Sequence, residues 1–490
     1  MSADGISAAP ALSSRATAVA TAAVLTLQLM LTVDAQVMTV SLPAIQHELG
    51  FSPSALSWIP NAYAIAFGGL ILLGGRIGDT FGRARVFLFG TGLFVVASLV
   101  GGMSSTPEIL IGARVAQGVA SATAAPAVLA LVSTMAKDEN ARRKVLASFT
   151  VVSAVGASAG LVLGGVLTDL LSWRWGLLIN VPIGIAVILV VRRLVRDGAP
   201  HATGKFDVPG AALATLGSVA LVWGFVNAGD NGWTSAGTPS FFGAAIVFIT
   251  VLVLVERRAA NPLIAIHLLK QPARVGALAN MGLTLGAQAS MLFFIAQYLQ
   301  RVLDFSPLLA GVGFLPLTAT IFIFTRWVPG WAGHLGSRPL LLVGGALLVA
   351  SFLGWSALDT SSTYWHVVIP LIIHALGCAL IFTAGTLLAM DGVPDSDAGS
   401  ASGMLQMIQQ IGGALGIAIV VSVYATGSVT GQFVPGLQAA FFTGGGLAAL
   451  AAIIASATVA SRRRSLRPEA TEDTHAPMPT DPSQLTRRTS

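Results

Sequence analysis

Gly75-Arg76-Ile77-Gly78-Asp79-Thr80-Phe81-Gly82-Arg83-Ala84-Arg85 is a short polar turn between two long apolar segments. It gathers Arg76, Asp79, Arg83 and Arg85 in a chain of 490 residues that is 54% hydrophobic and only 10% charged. A soluble domain carries roughly 25% charged residues, so water could not keep this surface dissolved. The flanking segments are each long enough to cross a bilayer core, which takes about 20 apolar residues. The turn therefore joins two membrane spans at one face of the membrane.

The same reading extends outward in both directions. Polar interruptions and Gly/Pro turns mark spans near 17–40, 55–76, 85–104, 107–134, 145–168, 175–195, 208–227, 239–256, 273–300, 307–328, 339–358, 365–388, 400–424 and 437–460. That makes fourteen, with a twelve-span arrangement carrying two re-entrant segments as the alternative. The predicted fold class is an all-α polytopic membrane protein. The first apolar segment carries Asp34 and is followed by no small-residue cleavage site, so a retained span is expected rather than a signal peptide. Residues 1–16 and 462–490, rich in Ser, Ala, Thr, Pro and charge, are expected to be disordered tails.

Charge placement supports this map. Lys and Arg in short loops collect on the cytoplasmic side, and with the N-terminus inside, 24 of the 27 basic residues fall there. Arg174 and Arg301 fall outside, and Arg114 lies within a span. Both termini are thus expected in the cytoplasm of a multi-pass protein of the plasma (inner) membrane. The net charge of +6 is accounted for by lipid headgroups and topology, and no nucleic-acid partner is read. Cys378 stands alone in an apolar span, so neither a disulfide framework nor a cysteine metal site is expected, and no cofactor or metal is called for. Arg outnumbers Lys 23 to 4, and with abundant Ala and Gly this points to a GC-rich bacterial source.

Gly333-His334-Leu335-Gly336-Ser337-Arg338-Pro339, after the tenth span, reads as a degraded copy of the opening turn. Repeats of this kind arise when a transporter is built from two related bundles. The chain then divides into a six-helix bundle over 17–200, an inserted two-helix hairpin over 201–260 and a second six-helix bundle over 261–461.

Further segments carry a resemblance. They are Leu31-Thr32-Val33-Asp34 leading to Val40-Ser41-Leu42-Pro43-Ala44-Ile45, then Arg114-Val115-Ala116-Gln117-Gly118 in the fourth span. Trp173-Arg174-Trp175 with Asn180-Val181-Pro182-Ile183-Gly184 follows at the sixth, and Ala401-Ser402-Gly403 with Gln410-Ile411-Gly412-Gly413-Ala414-Leu415-Gly416 in the thirteenth. With the opening turn, in this order and spacing, the chain resembles the major facilitator superfamily, and within it the fourteen-span drug:proton antiporters. The fifth span departs from that pattern: Gly160-Leu161-Val162-Leu163-Gly164-Gly165 has Leu161 where the antiporters place a proline.

The resemblance implies a proton-coupled secondary transporter, acting as a monomer, that exports lipophilic drugs or antibiotics, cationic ones among them, by alternating access. The loop motif itself is read as a conformational latch at Gly75, Asp79, Gly82, Arg83 and Arg85, where Asp79 pairs with Arg83 or accepts from a helix start when the inner gate closes, with Arg83 and Arg85 enforcing topology as the alternative reading. Gly156, Gly160 and Gly164 recur every four residues, and with Gly165 they offer a flat helix face for close packing.

Ionisable groups deep in a span cost on the order of 3 kcal/mol, which makes each a functional candidate. Asp34, Arg114 and His374 qualify, at depths of ~10, ~10 and ~14 Å from the outer span ends at 1.5 Å per residue. In the family fold their spans line a central cavity, so all three are expected to share one water-filled space and to couple protons. Burial disfavours a charged carboxyl while a nearby guanidinium favours it, and this opposition lets such a group gain and lose a proton. The competing reading of Asp34 and Arg114 is a static buried ion pair, and of His374 a hydrogen-bonded packing residue.

Gln36, Asn61, Tyr63, Gln117, Gln288, Phe293, Gln297 and Gln406 are the candidate cavity residues, offering uncharged hydrogen bonds and aromatic surface to a small lipophilic substrate. Two other readings stay open: a proton-coupled transporter of a specific metabolite, in either direction, and a non-transporting membrane sensor. An enzyme is not expected, since no phosphate-binding loop, His-Glu-x-x-His site or nucleophile elbow occurs.

Overall fold

The computed structural model describes residues 14–135, 139–195, 207–258, 266–394, 397–427 and 432–465. Most of both expected tails lies outside the described residues; where described, 14–16 and 462–465 continue helices.

Among the described residues, fourteen helices are long and apolar enough to cross a membrane. They are Arg15–Leu49, Ala55–Phe81, Arg83–Gly102, Pro107–Met135, Val151–Leu170, Arg174–Leu194, Val208–Asn231, Gly237–Arg258, Pro272–Arg301, Pro307–Thr325, Ser337–Trp355, Tyr364–Met390, Ala398–Gly427 and Val434–Val459, named below as the first to fourteenth spans. The first departs most from the expected boundaries. Its helix runs Ser14–Leu49 straight through Pro43, 36 residues in all, and ends only at Gly50, whose φ is +72°. At 1.5 Å per residue it is ~54 Å long against a hydrocarbon core of ~30 Å, so it projects beyond the bilayer. A proline inside a helix costs one hydrogen bond and need not end it when packing holds the flanking turns.

The two related turns share their geometry. Gly82 joins the second and third spans at φ 102°, and Gly336 precedes the eleventh at φ 79°. Both conformations are closed to ordinary L-residues, which is why glycine stands at each. The seventh span starts at an Asp207 cap, whose carboxylate accepts from the Gly210 amide at 2.8 Å, with Pro209 in the first turn.

Within the first six spans, the second and third lie on the fourth and the first lies on the fifth; among the last six, the ninth packs on the thirteenth and fourteenth and the eleventh on the twelfth. The halves meet along two seams, the second span against the thirteenth and the fifth against the tenth. The seventh span covers the first of these seams. Thr215 sits against Gly69, the Trp58 and Trp223 rings meet at 5.0 Å with a tilt of 52°, and Ile65, Val222, Val226, Ala414 and Ala418 form one apolar cluster across it. The eighth span packs on the seventh and leaves Ile246 and Val247 exposed.

Candidate functional site: a cavity closed by a buried ion pair

Between the halves lies a cavity of 1060 Å³, walled by the first, second, fourth, ninth and thirteenth spans. Asp79 and Arg83 stand at its mouth, on the Gly75–Arg85 turn. Asn61 and Arg114 stand at its blind end. Along the second span, the 18 residues from Asn61 to Asp79 set a depth of ~27 Å at 1.5 Å per residue.

The end beyond Asn61 is sealed by contacts between the halves. Gln300 Nε2 donates to the Val40 carbonyl at 2.9 Å, and Arg301 hydrogen bonds to Gln46. The fifth and tenth spans meet there backbone to backbone: a β-carbon on Gly165 would lie 2.5 Å from the Pro307 carbonyl oxygen, and one on Gly311 2.4 Å from that of Leu161. Leu161, in the place of the antiporter proline, is buried in this seam. Gly156, Gly160 and Gly164 face the first span instead, against Thr32, Val33 and Val37. Gly165 therefore differs from the other three, since it packs against the opposite half. On the same side, Trp173 Nε1 donates to Glu48 at 2.6 Å and Arg174 pairs with Glu48, tying the end of the first helix to the start of the sixth span.

Behind the blind end lies a buried polar cluster. Asp34 and Arg114 are 0% and 1% exposed and form an ion pair at 2.5 Å. The other Asp34 oxygen accepts from Gln117 Nε2 at 3.0 Å and from Asn180 Nδ2 at 2.8 Å. Ser98 accepts from both amides, at 2.8 and 3.3 Å. Arg114 also donates to the Ile59 carbonyl at 3.2 Å and to Gln117 Oε1 at 2.8 Å, and its guanidinium lies 4.5 Å over the Tyr63 ring. Two buried charges tolerate low dielectric only when paired and surrounded by further hydrogen bonds, and both conditions hold here.

This geometry corrects the placement of four residues. Asp34 does not line the cavity: Arg114 forms part of the wall and Asp34 lies behind it, facing the third, fourth and sixth spans. Gln117 serves the Asp34 cluster rather than the cavity, and Gln297 is spent on its own helix, donating to the Phe293 carbonyl at 3.0 Å. His374 does not share the space. It is fully buried in the second half, with Nδ1 3.2 Å from Ser351 Oγ and its ring 5.7 Å from Phe352 and 5.4 Å from Trp355. Counting residues along a span gives depth but not the face, and the His374 face of the twelfth span turns toward the eleventh.

Gln36, Asn61, Tyr63, Gln288, Phe293 and Gln406 do line the cavity. Gln409 and Gln410 join them from the thirteenth span, and Ser98 and Asn180 join the ion pair, none of which a search for ionisable groups alone would single out. At the mouth, Arg83 donates to Asp79 through Nε at 3.1 Å and Nη2 at 2.9 Å, so the carboxylate is paired within its own turn. Gly78 faces open space and Gly75 faces only the Pro126 side chain, Gly82 supplies the left-handed turn, and Arg85 is exposed at the start of the third span.

Comparison with known proteins agrees with this architecture. The Major Facilitator Superfamily profile matches residues 24–417. A cephamycin export protein of Amycolatopsis lactamdurans is 36% identical over 400 residues, covering 81% of this chain and 82% of its own. A puromycin resistance protein of Streptomyces alboniger is 37% identical over 409 residues, covering 81% and 79%. A lincomycin resistance protein of Streptomyces lincolnensis is 33% identical over 447 residues, covering 91% and 92%. Among solved structures, a peptide transporter bound to sulfate superposes with a TM-score of 0.69 at 16% identity, over 91% of this chain and 94% of that one, a likeness of fold alone. The chain is a multi-pass membrane transporter, not an enzyme, and it belongs to the Major Facilitator Superfamily, in the branch that holds these drug and antibiotic efflux proteins.

Proposed function

We propose that this chain exports small lipophilic drugs or antibiotics in exchange for protons, as a monomer with both termini in the cytoplasm. The observation that carries the reading is the ion pair at the blind end of the cavity, with Arg114 in the wall and Asp34 one side chain behind it. Basic residues crowd the loops on the side of the Gly75–Arg85 turn, and the positive-inside rule makes that side cytoplasmic. The cavity then faces the cytoplasm, and the Gly165 and Gly311 seam closes the outer side.

A proton arriving at Asp34 neutralises the carboxylate and removes the charge that holds Arg114. The guanidinium keeps the Ile59 carbonyl, Gln117 Oε1 and the Tyr63 ring as partners, so it re-seats rather than standing unpaired. Because Arg114 is a wall residue, its re-seating alters the substrate site, which is the link an exchanger requires. Asp79, Arg83 and Arg85 would latch the mouth once it closes, Asp79 exchanging its partner within the turn for one across the halves. The support for this is the half-exposed Asp79–Arg83 pair at an open mouth.

Asp34→Asn tests the reading. In everted vesicles carrying an imposed proton gradient, the variant should insert and fold yet release no protons on substrate addition. Proton release equal to that of the unaltered chain would refute the coupling assignment.

A further inference from the structure

We propose that the cavity selects uncharged amphiphiles bearing amide, carbonyl or hydroxyl groups, with Asn61 as the residue that reads them. This deepens the reading of the cavity as the substrate site and rests on it. The first observation is Asn61 itself. It is 0% exposed, lines the blind end, and neither its Oδ1 nor its Nδ2 has a hydrogen-bond partner. A buried carboxamide presents one acceptor and two donors, and leaving all of them unpaired is costly unless a ligand supplies partners.

The second observation is the charge inventory of the walls. Among the described lining residues the only carboxylate is Asp79, at the mouth and already bonded to Arg83. The deep charge, Arg114, is matched at 2.5 Å by Asp34. A cation reaching the blind end therefore meets no anionic partner, and the Tyr63 face that would hold it by a cation–π contact is occupied by the Arg114 guanidinium. At the blind end an anion meets a guanidinium whose charge is already spent, and the remaining wall cations, Arg76 and Arg83, belong to the mouth. What the walls do offer are the carboxamides of Gln36, Gln288 and Gln410 from the first, ninth and thirteenth spans, together with the apolar side chains of Leu292 and Phe293. Neutral hydrogen-bonding edges on an apolar body fit that pattern.

Three dyes of one scaffold test it on the purified full chain in detergent: uncharged dansylamide, anionic dansylglycine, and the quaternary cation dansylaminoethyl-trimethylammonium. Fluorescence titration at fixed pH should give dansylamide an affinity at least tenfold above either charged dye. Asn61→Leu should weaken dansylamide tenfold or more, with Asn61→Ser as the second variant should Leu not yield folded protein. Asn61→Asp should raise cation affinity tenfold or more and invert the preference. Equal binding of the cation and dansylamide by the unaltered chain would overturn the inference, as would unchanged dansylamide affinity in both Asn61→Leu and Asn61→Ser. Either outcome leaves the exchange reading standing, because binding in detergent needs no proton gradient. Absence of saturable binding by all three dyes would overturn the inference together with the cavity as substrate site.

Discussion

Each half of the molecule buries a titratable side chain deep in a span, and the two are treated in opposite ways. In the first half Asp34 is met by a guanidinium and two carboxamides drawn from the fourth and sixth spans. In the second half His374 has a single hydroxyl partner, Ser351, with Nε2 unpartnered and Phe352 and Trp355 against its ring. The first arrangement stores a charge that a proton can cancel. The second holds an imidazole ring as packing material, and it lies away from the cavity.

The comparison breaks most readily at Arg114. Arg114→Ala strips the Asp34 carboxylate of its charged partner in a buried site, and losing one member of such a pair costs about 3–5 kcal/mol. A large drop in the thermal midpoint of the detergent-solubilised protein is the expected reading; a midpoint within a degree of the parent would show that water already reaches Asp34. Asn180→Leu should have a smaller effect, removing one donor to Asp34 and one to Ser98 at about 1–3 kcal/mol, and should move the pH profile of transport. A profile unmoved by that variant would confine Asn180 to packing. His374→Leu should be the mildest, since it loses the Ser351 bond but also removes the orphaned Nε2; stability should stay within about 1.5 kcal/mol with the pH profile of transport unchanged. A shifted profile would bring His374 back into the proton path and erase the contrast.

Much of this was legible in the chain. Apolar length with polar and Gly/Pro interruptions placed fourteen spans, because the bilayer fixes how long a helix must be and leaves few ways to satisfy the backbone inside it. The repeated turn was legible because Gly82 and Gly336 meet the same positive-φ demand. The pairing of Asp34 with Arg114 was expected from charge and depth, and the structure brings the two together. What was not legible was direction around each helix axis. Asp34, Gln117, Gln297 and His374 were all assigned to the cavity, yet each points elsewhere, because 100° per residue turns a small error in phase into a different neighbour. The length of the first helix was also hidden, since Pro43 reads as a stop in isolation and is overridden by packing on the fifth and sixth spans.

The seam between the fifth and tenth spans has a further consequence. Where Gly165 and Gly311 bring main chain against main chain, few side chains stand between the two helices, so parting and rejoining at those two points involves little local rearrangement. The resting balance between the two shapes of the molecule is then poised on a contact that one added methyl would pry apart. Mutational drift at these two positions would act like a dial on how long the pump dwells facing each side, leaving what it carries untouched.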